Sequence, residues 1–247
     1  MTDWAVIGHD GQEARVFELR GPTVVQERRA PDTLSALAQI APPPRILYRI
    51  GEGLSDVLPI RLLPQSGHGL AGLSQDRPPD VIDGWVRLLL IGLLRERMHW
   101  DGVAWVVLRN LSHWLYLSAG EAISCQSFLT PQLIATLGGT LRPCDEALSA
   151  SLSRPERLAA HLRAAQVTDD RDALTGHLLG AELAAARPYW LGQSVSLIAS
   201  AEVSSGYAAA LAGLGSPVSA FDPDLLLAPA FAALASALGH AEPPTAS

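Results

Sequence analysis

The sequence predicts an α/β protein built from two related halves. At 247 residues, with 48% hydrophobic residues and a mean hydropathy of +0.19, the chain can bury one large core or two smaller ones. Strand-like segments alternate with helical ones, and the order of hairpin strands, helix, strand and helix occurs twice. The residues themselves show no repeat, so the duplication is inferred from the order of the elements.

In the first half, Asp10-Gly11 lies between two apolar runs and predicts a β-hairpin. Asp32 marks the start of a helix. The predicted elements are strands at Trp4–Ile7, Ala14–Leu19, Val24–Arg28 and Arg45–Ile50, and helices at Pro31–Ile40 and Val81–Arg97. Gly51 to Asp80 is rich in Gly, Pro and Ser, which predicts a loop with one short strand at Ile60–Leu63.

The second half repeats this order from about residue 99. Thr130 is expected to cap a helix that has Pro131 at its first position. The further predicted elements are strands at Val103–Leu108, Trp114–Leu117, Ala122–Phe128, Val195–Ala199 and Pro217–Phe221, and helices at Pro155–Ala165, at Asp172–Trp190, from Ser204 and at the end of the chain. We therefore expect an N-terminal α/β lobe at 1–98, a C-terminal α/β lobe at 99–241 and a frayed tail at 242–247.

Composition narrows the class of protein. The net charge of −7 argues against a nucleic-acid partner, and all 18 basic residues are arginine, so no lysine can bind phosphate. Two cysteines fit reduced thiols, and the first residues lack the pattern of a signal peptide, so we expect a cytoplasmic protein. The most apolar run, Val86–Leu94, is far short of the roughly 20 residues of a bilayer span, so no membrane association is expected. The scattered histidines predict no metal site.

The segment from Leu174 to Tyr207 carries a family resemblance. It contains an apolar helix, LTGHLLGAELAAARPYW, followed by a short strand and a turn, VSLIASAEVSSGY. This pattern resembles the C-terminal domain of bacterial 2-dehydro-3-deoxygalactonokinases. The helix positions that match are Gly176, Leu178, Gly180, Ala181 and Glu182. The resemblance implies a two-lobed actin-like (ribonuclease H-like) sugar-kinase fold with a reduced N-terminal lobe, in which nucleotide and substrate bind between the lobes.

The first hairpin departs from the family at the position that matters for metal binding. The family turn reads like Asp-Trp-Gly-Ser-Thr-Asn-Leu-Arg, and this chain has Gly8 through Arg15 there, sharing only Arg15. In the family the leading aspartate helps to hold Mg²⁺, whereas Gly8 has no charge. Asp10 lies two residues later and either replaces that acid in a rebuilt turn or, together with Gly11, forms an ordinary hairpin turn.

In three further motifs of the family, acids, a glycine and a lysine are replaced in this chain. Two acids become Trp85 and Val86, although Asp83 lies nearby and either faces the cleft or caps a helix. In a turn like Pro-Gly-Thr-His-Ser-Lys-Trp, the glycine becomes Arg109 and the lysine becomes His113, while Ser112 and Trp114 remain. In the last motif Thr130 remains and the acid becomes Gln132.

These substitutions favour a member of the family with an eroded active site, which acts in binding or regulation of sugar-acid metabolism. The alternatives are an active ATP-dependent kinase that uses Asp10 and Asp83 as catalytic acids, and a decaying gene product without a selected role. By resemblance, the cofactor would contact Gly11, Ser112 and Ser200, and the substrate would contact Arg15, Asp83, Arg109 and Thr130. No cofactor is expected unless the kinase alternative holds, in which case ATP and Mg²⁺ are implied. The expected partners are a sugar acid and either a second copy of the chain or another protein.

Overall fold

The computed structural model describes residues 4–239, which form two compact units. Unit 1 comprises residues 4–100, 118–123 and 223–239, and unit 2 comprises residues 101–117 and 124–222. The lobes predicted from the sequence are contiguous, whereas unit 1 also takes in two later segments of the chain. The tail predicted at 242–247 lies outside the described residues.

Groups of strands are followed by one or more helices along the described chain. The strands are β1 (Trp4–His9), β2 (Ala14–Arg20), β3 (Thr23–Ala30), β4 (Leu47–Ile50), β5 (Asp56–Val57), β6 (Ile60–Arg61), β7 (Gly69–Leu70), β8 (Leu73–Asp76), β9 (Pro79–Ile82), β10 (Gly102–Leu108), β11 (Leu111–Ser118), β12 (Glu121–Phe128), β13 (Val195–Ile198) and β14 (Val218–Phe221). The helices are α1 (Thr33–Leu37), α2 (Gly84–Glu96), α3 (Thr130–Leu137), α4 (Asp145–Ser153), α5 (Leu158–Val167), α6 (Arg171–Ala185), α7 (Arg187–Trp190), α8 (Ala201–Ala212) and α9 (Leu227–Ala237).

Unit 1 contains a five-stranded sheet in the order β3-β2-β1-β4-β7. β1 and β2 form the predicted antiparallel hairpin, with Trp4 opposite Leu19 and His9 opposite Ala14. β4 lies parallel to β1, and β7 lies parallel to β4. A second sheet, in the order β5-β8-β9, leads into α2. The first ten residues of α2 are all buried, so this helix is a core element of unit 1.

Unit 2 repeats the topology of unit 1 strand for strand. Its strands run in the order β12-β11-β10-β13-β14. β10 is antiparallel to β11 and parallel to β13, and β13 is parallel to β14. The central strand β10 reads GVAWVVL and is buried through its first six residues, as a strand covered on both faces requires. The duplication inferred from the order of elements is therefore present in the sheets.

Several predicted elements need correction. The segment 51–80 contains β5, β7, β8 and the start of β9 as well as the expected strand near residue 60, because strands of two to four residues are too short to show a clear period of two. The helix predicted from Val81 begins at Gly84, because Pro79–Ile82 pairs with β8. Helix α4 lies in a segment where no helix is predicted, and the single helix predicted at Asp172–Trp190 is divided into α6 and α7 next to Pro188. The last correction is that α8 begins at Ala201, three residues before the predicted start.

Within residues 4–239, every helix falls short of the length and apolar character that crossing a bilayer requires.

Candidate functional site

The turn between β1 and β2 is closed by the carboxylate of Asp10. Its Oδ1 accepts hydrogen bonds from the backbone N–H groups of Gln12, at 2.7 Å, and Glu13, at 3.0 Å. Gly11 has a φ of +89°, which favours glycine, and its N–H donates to Nδ1 of His9. Asp10 thus uses one carboxylate oxygen in the turn itself, which is the arrangement that an ordinary hairpin turn requires.

The resemblance aligns Gly8 with a metal-holding aspartate, and the packing at Gly8 leaves no room for a side chain. A Cβ placed on Gly8 would lie 2.7 Å from Cβ of Ile50 and 3.1 Å from the ring of Trp85. Trp85 is only 4% exposed, and its ring stacks on Phe17 with 6.3 Å between the centroids. Trp85 is therefore packed in the core of unit 1 beside Gly8.

Arg15 is buried and paired with acidic residues of unit 1. Its Nη1 lies 2.6 Å from Oδ1 of Asp224, and its Nη2 lies 2.8 Å from Oε1 of Glu27. The guanidinium also lies 5.4 Å from the centre of the Trp85 ring, within the range of a cation–π interaction. The side chain expected to contact substrate therefore connects β2 to β3 and to the segment after Pro223.

A polar pocket of about 190 Å³ lies beside Gly8 in unit 1. It contains Asp83, whose Oδ1 caps α2 by accepting a hydrogen bond of 2.7 Å from the N–H of Trp85. Arg49 pairs with Glu52 at 2.8 Å, so the pocket combines one cation with two carboxylates. The lining residues are Ile7, Gly8, His9, Thr33, Arg49, Ile50, Gly51, Glu52 and Asp83.

This lining suits a ligand that carries both hydroxyl groups and negative charge. The carboxylates of Asp83 and Glu52 can accept hydrogen bonds from hydroxyl groups, and the guanidinium of Arg49 can bind a carboxylate in a bidentate manner. Of the site residues predicted from the sequence, Asp83 is the one in this pocket. Sequence reasoning missed His9, Thr33, Arg49 and Glu52. Arg49 and Glu52 could have been noticed because they lie at the end of a predicted strand.

The turn between β10 and β11 in unit 2 contains Arg109 in a left-handed conformation. Its φ is +46°, and the side chain is exposed. This is the position where the family has glycine, the residue that adopts positive φ most readily. The turn therefore has a left-handed residue at the position that the resemblance aligns with a glycine, and an exposed side chain projects from it.

Ser112 and Trp114, which match the family at the second hairpin, bind a buried carboxylate. Oε1 of Glu182 accepts hydrogen bonds from Oγ of Ser112, at 2.5 Å, and from Nε1 of Trp114, at 2.9 Å. Nε1 of Trp105 donates to the same Oγ of Ser112 at 2.7 Å. Ser112 has no exposed surface, so its hydroxyl connects β11 to α6 instead of facing the solvent.

The carboxyl group of Glu182 is fully buried in this network. Burial raises its pKa, and hydrogen bonds from Ser112, Thr130 and Trp114 act in the opposite direction. Its Oε2 has no hydrogen-bond partner among the described residues. A buried carboxyl group with one unpartnered oxygen favours the protonated form. Sequence reasoning recognised Glu182 as a family match but assigned it no role.

Thr130 and Ser200 differ from their expected roles. Thr130 does not cap α3, which corrects that prediction: the N-cap residue is Leu129 without a side-chain cap, and the buried Thr130 interacts with Glu182. Ser200 occupies the N-cap position of α8 but makes no capping hydrogen bond. It is exposed, and Glu202 in the first turn adds a negative charge that opposes anion binding at this helix end.

Two of the scattered histidines meet in unit 2. His161 and His177 stack with 4.7 Å between ring centroids, and the Nδ1 atoms of both lie 2.9 Å from Oγ of Ser151. Burial lowers the pKa of His177, and the neighbouring His161 lowers it further. Within the described ranges, no three His, Cys, Asp or Glu side chains come together in a geometry that could hold a metal ion.

Sequence comparison identifies one matching family. A sequence model of the family described as 2-keto-3-deoxy-galactonokinase matches residues 145–234. None of the curated proteins shows a sequence match to the chain. The resemblance predicted from the segment around α6 is confirmed by this match, which includes Glu182 and the whole of α8.

Solved structures share the fold along nearly the whole chain. A provisionally named 2-dehydro-3-deoxygalactonokinase from Sinorhizobium meliloti has a TM-score of 0.79 and 21% identity, covering 95% of this chain and 98% of that chain. A provisionally named N-acetylglucosamine kinase from Porphyromonas gingivalis has a TM-score of 0.51 and 13% identity, with coverage of 92% and 97%. The activator of the 2-hydroxyisocaproyl-CoA dehydratase from Clostridium difficile, with bound ADPNP, has a TM-score of 0.51 and 10% identity, with coverage of 94% and 92%. The chain therefore has the fold of actin-like ATPases and sugar kinases.

Proposed function

We propose that this sugar-kinase-like protein binds a sugar acid in the polar pocket of unit 1 and does not transfer phosphate from ATP. The observation that carries the proposal is the packing at Gly8. The family position for a metal-holding acid has no side chain here, and Ile50 and Trp85 fill the space that such a side chain would need. A role in binding or regulation of sugar-acid metabolism follows, since the pocket next to Gly8 remains open and polar.

The residues present do not fit ATP and Mg²⁺ at the two hairpin turns. Phosphoryl transfer depends on acids that hold Mg²⁺ and on groups that position the phosphates. At the first turn, Asp10 already accepts two backbone hydrogen bonds. At the second turn, Arg109 stands where a glycine would allow close approach of the backbone, and the nearby Ser112 is buried. The residues at these two turns therefore do not support phosphoryl transfer from a nucleotide.

The chemistry of the pocket supports a sugar acid as the ligand. Such a molecule combines one carboxylate with several hydroxyl groups, and the pocket combines the guanidinium of Arg49 with the carboxylates of Glu52 and Asp83. The family description and the name of the Sinorhizobium meliloti protein both point to 2-dehydro-3-deoxy-D-galactonate as the first compound to test.

Calorimetry with two ligands tests the proposal. We expect saturable binding of 2-dehydro-3-deoxy-D-galactonate and no saturable binding of ATP·Mg²⁺ at millimolar concentration. Arg49→Gln should weaken sugar-acid binding by about tenfold or more, as loss of one charge-assisted pair predicts. Arg28→Gln is the matched control, because Arg28 also pairs with a glutamate of unit 1 but does not line the pocket. A micromolar dissociation constant for ATP·Mg²⁺ would contradict the proposal.

An active kinase is the second candidate, and the position of Asp83 favours it. The Oδ1 of Asp83 caps α2, while the carboxylate as a whole lines the polar pocket, where it could deprotonate a sugar hydroxyl. If this candidate is right, a coupled assay with the sugar acid and ATP shows turnover. Asp83→Asn then lowers the rate by about 10²-fold or more while keeping the helix cap, because Asn caps as well as Asp. Asp10→Asn tests the other candidate acid in the same assay.

Association with a second copy or with another protein remains part of the proposal. Trp85 is buried, so its side chain offers no exposed surface for such a contact. Light scattering of the purified protein measures its mass directly, and a strictly monomeric mass would remove self-association from the proposal.

A further inference from the structure

A second pocket in unit 1 lies at the opposite end of α2 from Asp83. Its volume is about 270 Å³. It is formed by the last turns of α2, the segment after β6, the turn before β12 and one residue of α9. The lining residues are Leu62, Leu63, Ile91, Leu94, Arg95, Met98, His99, Gly120 and Ala233.

Apart from Arg95 and His99, the side chains that line this pocket are apolar. Leu62 and Ile91 are buried and form the base, whereas Leu63 is 37% exposed and Met98 is 66% exposed at the rim. Large apolar side chains that are exposed around a concavity, and not scattered singly over a surface, are typical of ligand sites. The volume falls just below the range of roughly 300–1,000 Å³ that drug-sized ligands occupy. The ligand should therefore be small.

The ionisable groups of the pocket can be only neutral or positive. They are Arg95, in the last turn of α2, and His99, just beyond it, and no carboxylate lines the pocket. Within residues 4–239, no acidic side chain lies in ion-pair range of Arg95. His99 has a φ of +59°, a conformation that is uncommon outside glycine, so a strained residue forms part of the rim.

We infer that this pocket binds a small amphipathic monocarboxylate, with its apolar body against the leucines and its carboxylate at Arg95. A guanidinium binds a carboxylate through two parallel hydrogen bonds, and the exposed Arg95 at the edge of the pocket can hold the carboxylate there while the apolar body lies inside. A fully hydroxylated sugar acid does not suit these walls, because its hydroxyl groups would be buried without partners. The site is independent of the polar pocket at Asp83: α2 has 13 residues and so separates the two by about 20 Å.

Titration of the protein with octanoate tests the inference. The chain has two methionines, Met1 and Met98, so labelling with ¹³C-methyl methionine gives a reporter in the pocket that Met98→Leu assigns. We expect the Met98 methyl signal to shift with octanoate and to saturate at millimolar concentration. We also expect 1-octanol, which has the same chain without the charge, to bind about tenfold or more weakly.

Two variants separate the charge from the shape of the site. Arg95→Gln removes the cation at an exposed position and should weaken octanoate binding by about tenfold or more without affecting 1-octanol. Arg20→Gln, at an exposed position outside the pocket, is the matched control and should leave both affinities unchanged. Ala233→Trp should fill the pocket and abolish binding of both compounds. The inference is overturned if octanoate causes no saturable shift, if 1-octanol binds as tightly, or if Arg95→Gln binds octanoate as the unchanged protein does.

Discussion

Carboxylates support the β1–β2 hairpin of unit 1 and the β10–β11 hairpin of unit 2 in different ways. In unit 1, Asp10 belongs to the turn and accepts hydrogen bonds from the next backbone groups, at 2.7 and 3.0 Å. In unit 2, Glu182 lies in a helix some seventy residues away in sequence and binds Ser112 and Trp114 of β11. Both turns contain a residue with positive φ, Gly11 in the first and Arg109 in the second.

This difference separates parts of the fold that can change from parts that cannot. The first turn is local, so its sequence can be replaced by any other good hairpin turn, and Trp85 can fill the space beside Gly8. The second hairpin is connected to a buried network, because Ser112 and Trp114 of β11 bind Glu182 of α6. A substitution in the first turn should therefore have local effects, whereas one at Ser112, Trp114 or Glu182 should disturb the contact between β11 and α6.

The largest expected effect tests whether Trp85 is a core residue of unit 1 that fills the space beside Gly8. Trp85→Ala should lower the free energy of unfolding by about 3–5 kcal/mol, because it removes a buried ring that stacks on Phe17 and lies beneath Arg15. Urea denaturation measures the change. The control is Trp100→Ala, at a half-buried tryptophan of the same unit, which should cost less. A loss of under about 1 kcal/mol for Trp85→Ala would mean that the site beside Gly8 is not held closed by packing.

The next prediction concerns the space at Gly8 itself. Gly8→Ala should lower the free energy of unfolding by about 1–3 kcal/mol, because the new methyl group would lie 2.7 Å from Cβ of Ile50 and 3.1 Å from the Trp85 ring. In the Trp85→Ala background the cost should be smaller, with a coupling energy of about 0.5 kcal/mol or more between the two positions. A neutral Gly8→Ala would show that the family acid could be restored without rearrangement and would weaken the non-catalytic proposal.

Much of the fold can be predicted from the sequence patterns of single strands, turns and helices. Asp10-Gly11 between apolar runs predicts the first hairpin, and Asp32 caps α1 by accepting a hydrogen bond of 2.8 Å from the N–H of Ser35. β10 is an uninterrupted apolar run, which identifies a central strand. The two-residue strands between 56 and 70 are not predictable in this way, because they depend on partners that are distant in sequence.

The site is less predictable than the fold, for the same physical reason. Asp83 is recognisable because it precedes a helix, but Arg49, Glu52 and His9 become neighbours only when β1 and β4 pair in parallel. The buried partners of Arg15 are equally hidden, since Asp224 lies 209 positions further along the chain. Thr130 shows the opposite error: a residue type typical of a helix cap is instead part of the network around Glu182.

The buried carboxyl group of Glu182 predicts how the stability of the protein depends on pH. Burial raises the pKa of Glu182 above its ordinary value of 4.5, so the folded protein binds this proton more tightly than the unfolded chain does. The contribution of the protonated Glu182 to the free energy of unfolding is therefore fully present below the pKa of this group in the unfolded chain. It is lost as pH rises through the pKa of the same group in the folded protein. Between the two values the free energy of unfolding should fall by about 1.4 kcal/mol per pH unit relative to a variant without the ionisable group.

Glu182→Gln is that variant, because the amide keeps the shape of the side chain and an acceptor for Ser112 and Trp114. Urea denaturation at several values from about pH 5 to about pH 8 should show the unchanged protein losing stability relative to Glu182→Gln as pH rises. Glu146→Gln, at an exposed glutamate of α4 in the same unit, should show no such trend. Parallel stability curves for the unchanged protein and Glu182→Gln would mean that Glu182 titrates normally.

The smallest expected effect tests whether the second turn keeps the backbone shape of the family. Arg109 has a φ of +46°, and a left-handed conformation costs a non-glycine residue roughly 1–2 kcal/mol. Arg109→Gly removes this cost but loses more entropy on folding, roughly 0.5–1 kcal/mol, so the net stabilisation should be about 0.5–1 kcal/mol. Arg109→Ala removes the same side chain and keeps the strain, so thermal unfolding should rank the glycine variant above the alanine variant. If the two variants unfold at the same temperature, the strain at Arg109 is negligible, and the conformation of this turn gives no evidence of an ancestral glycine.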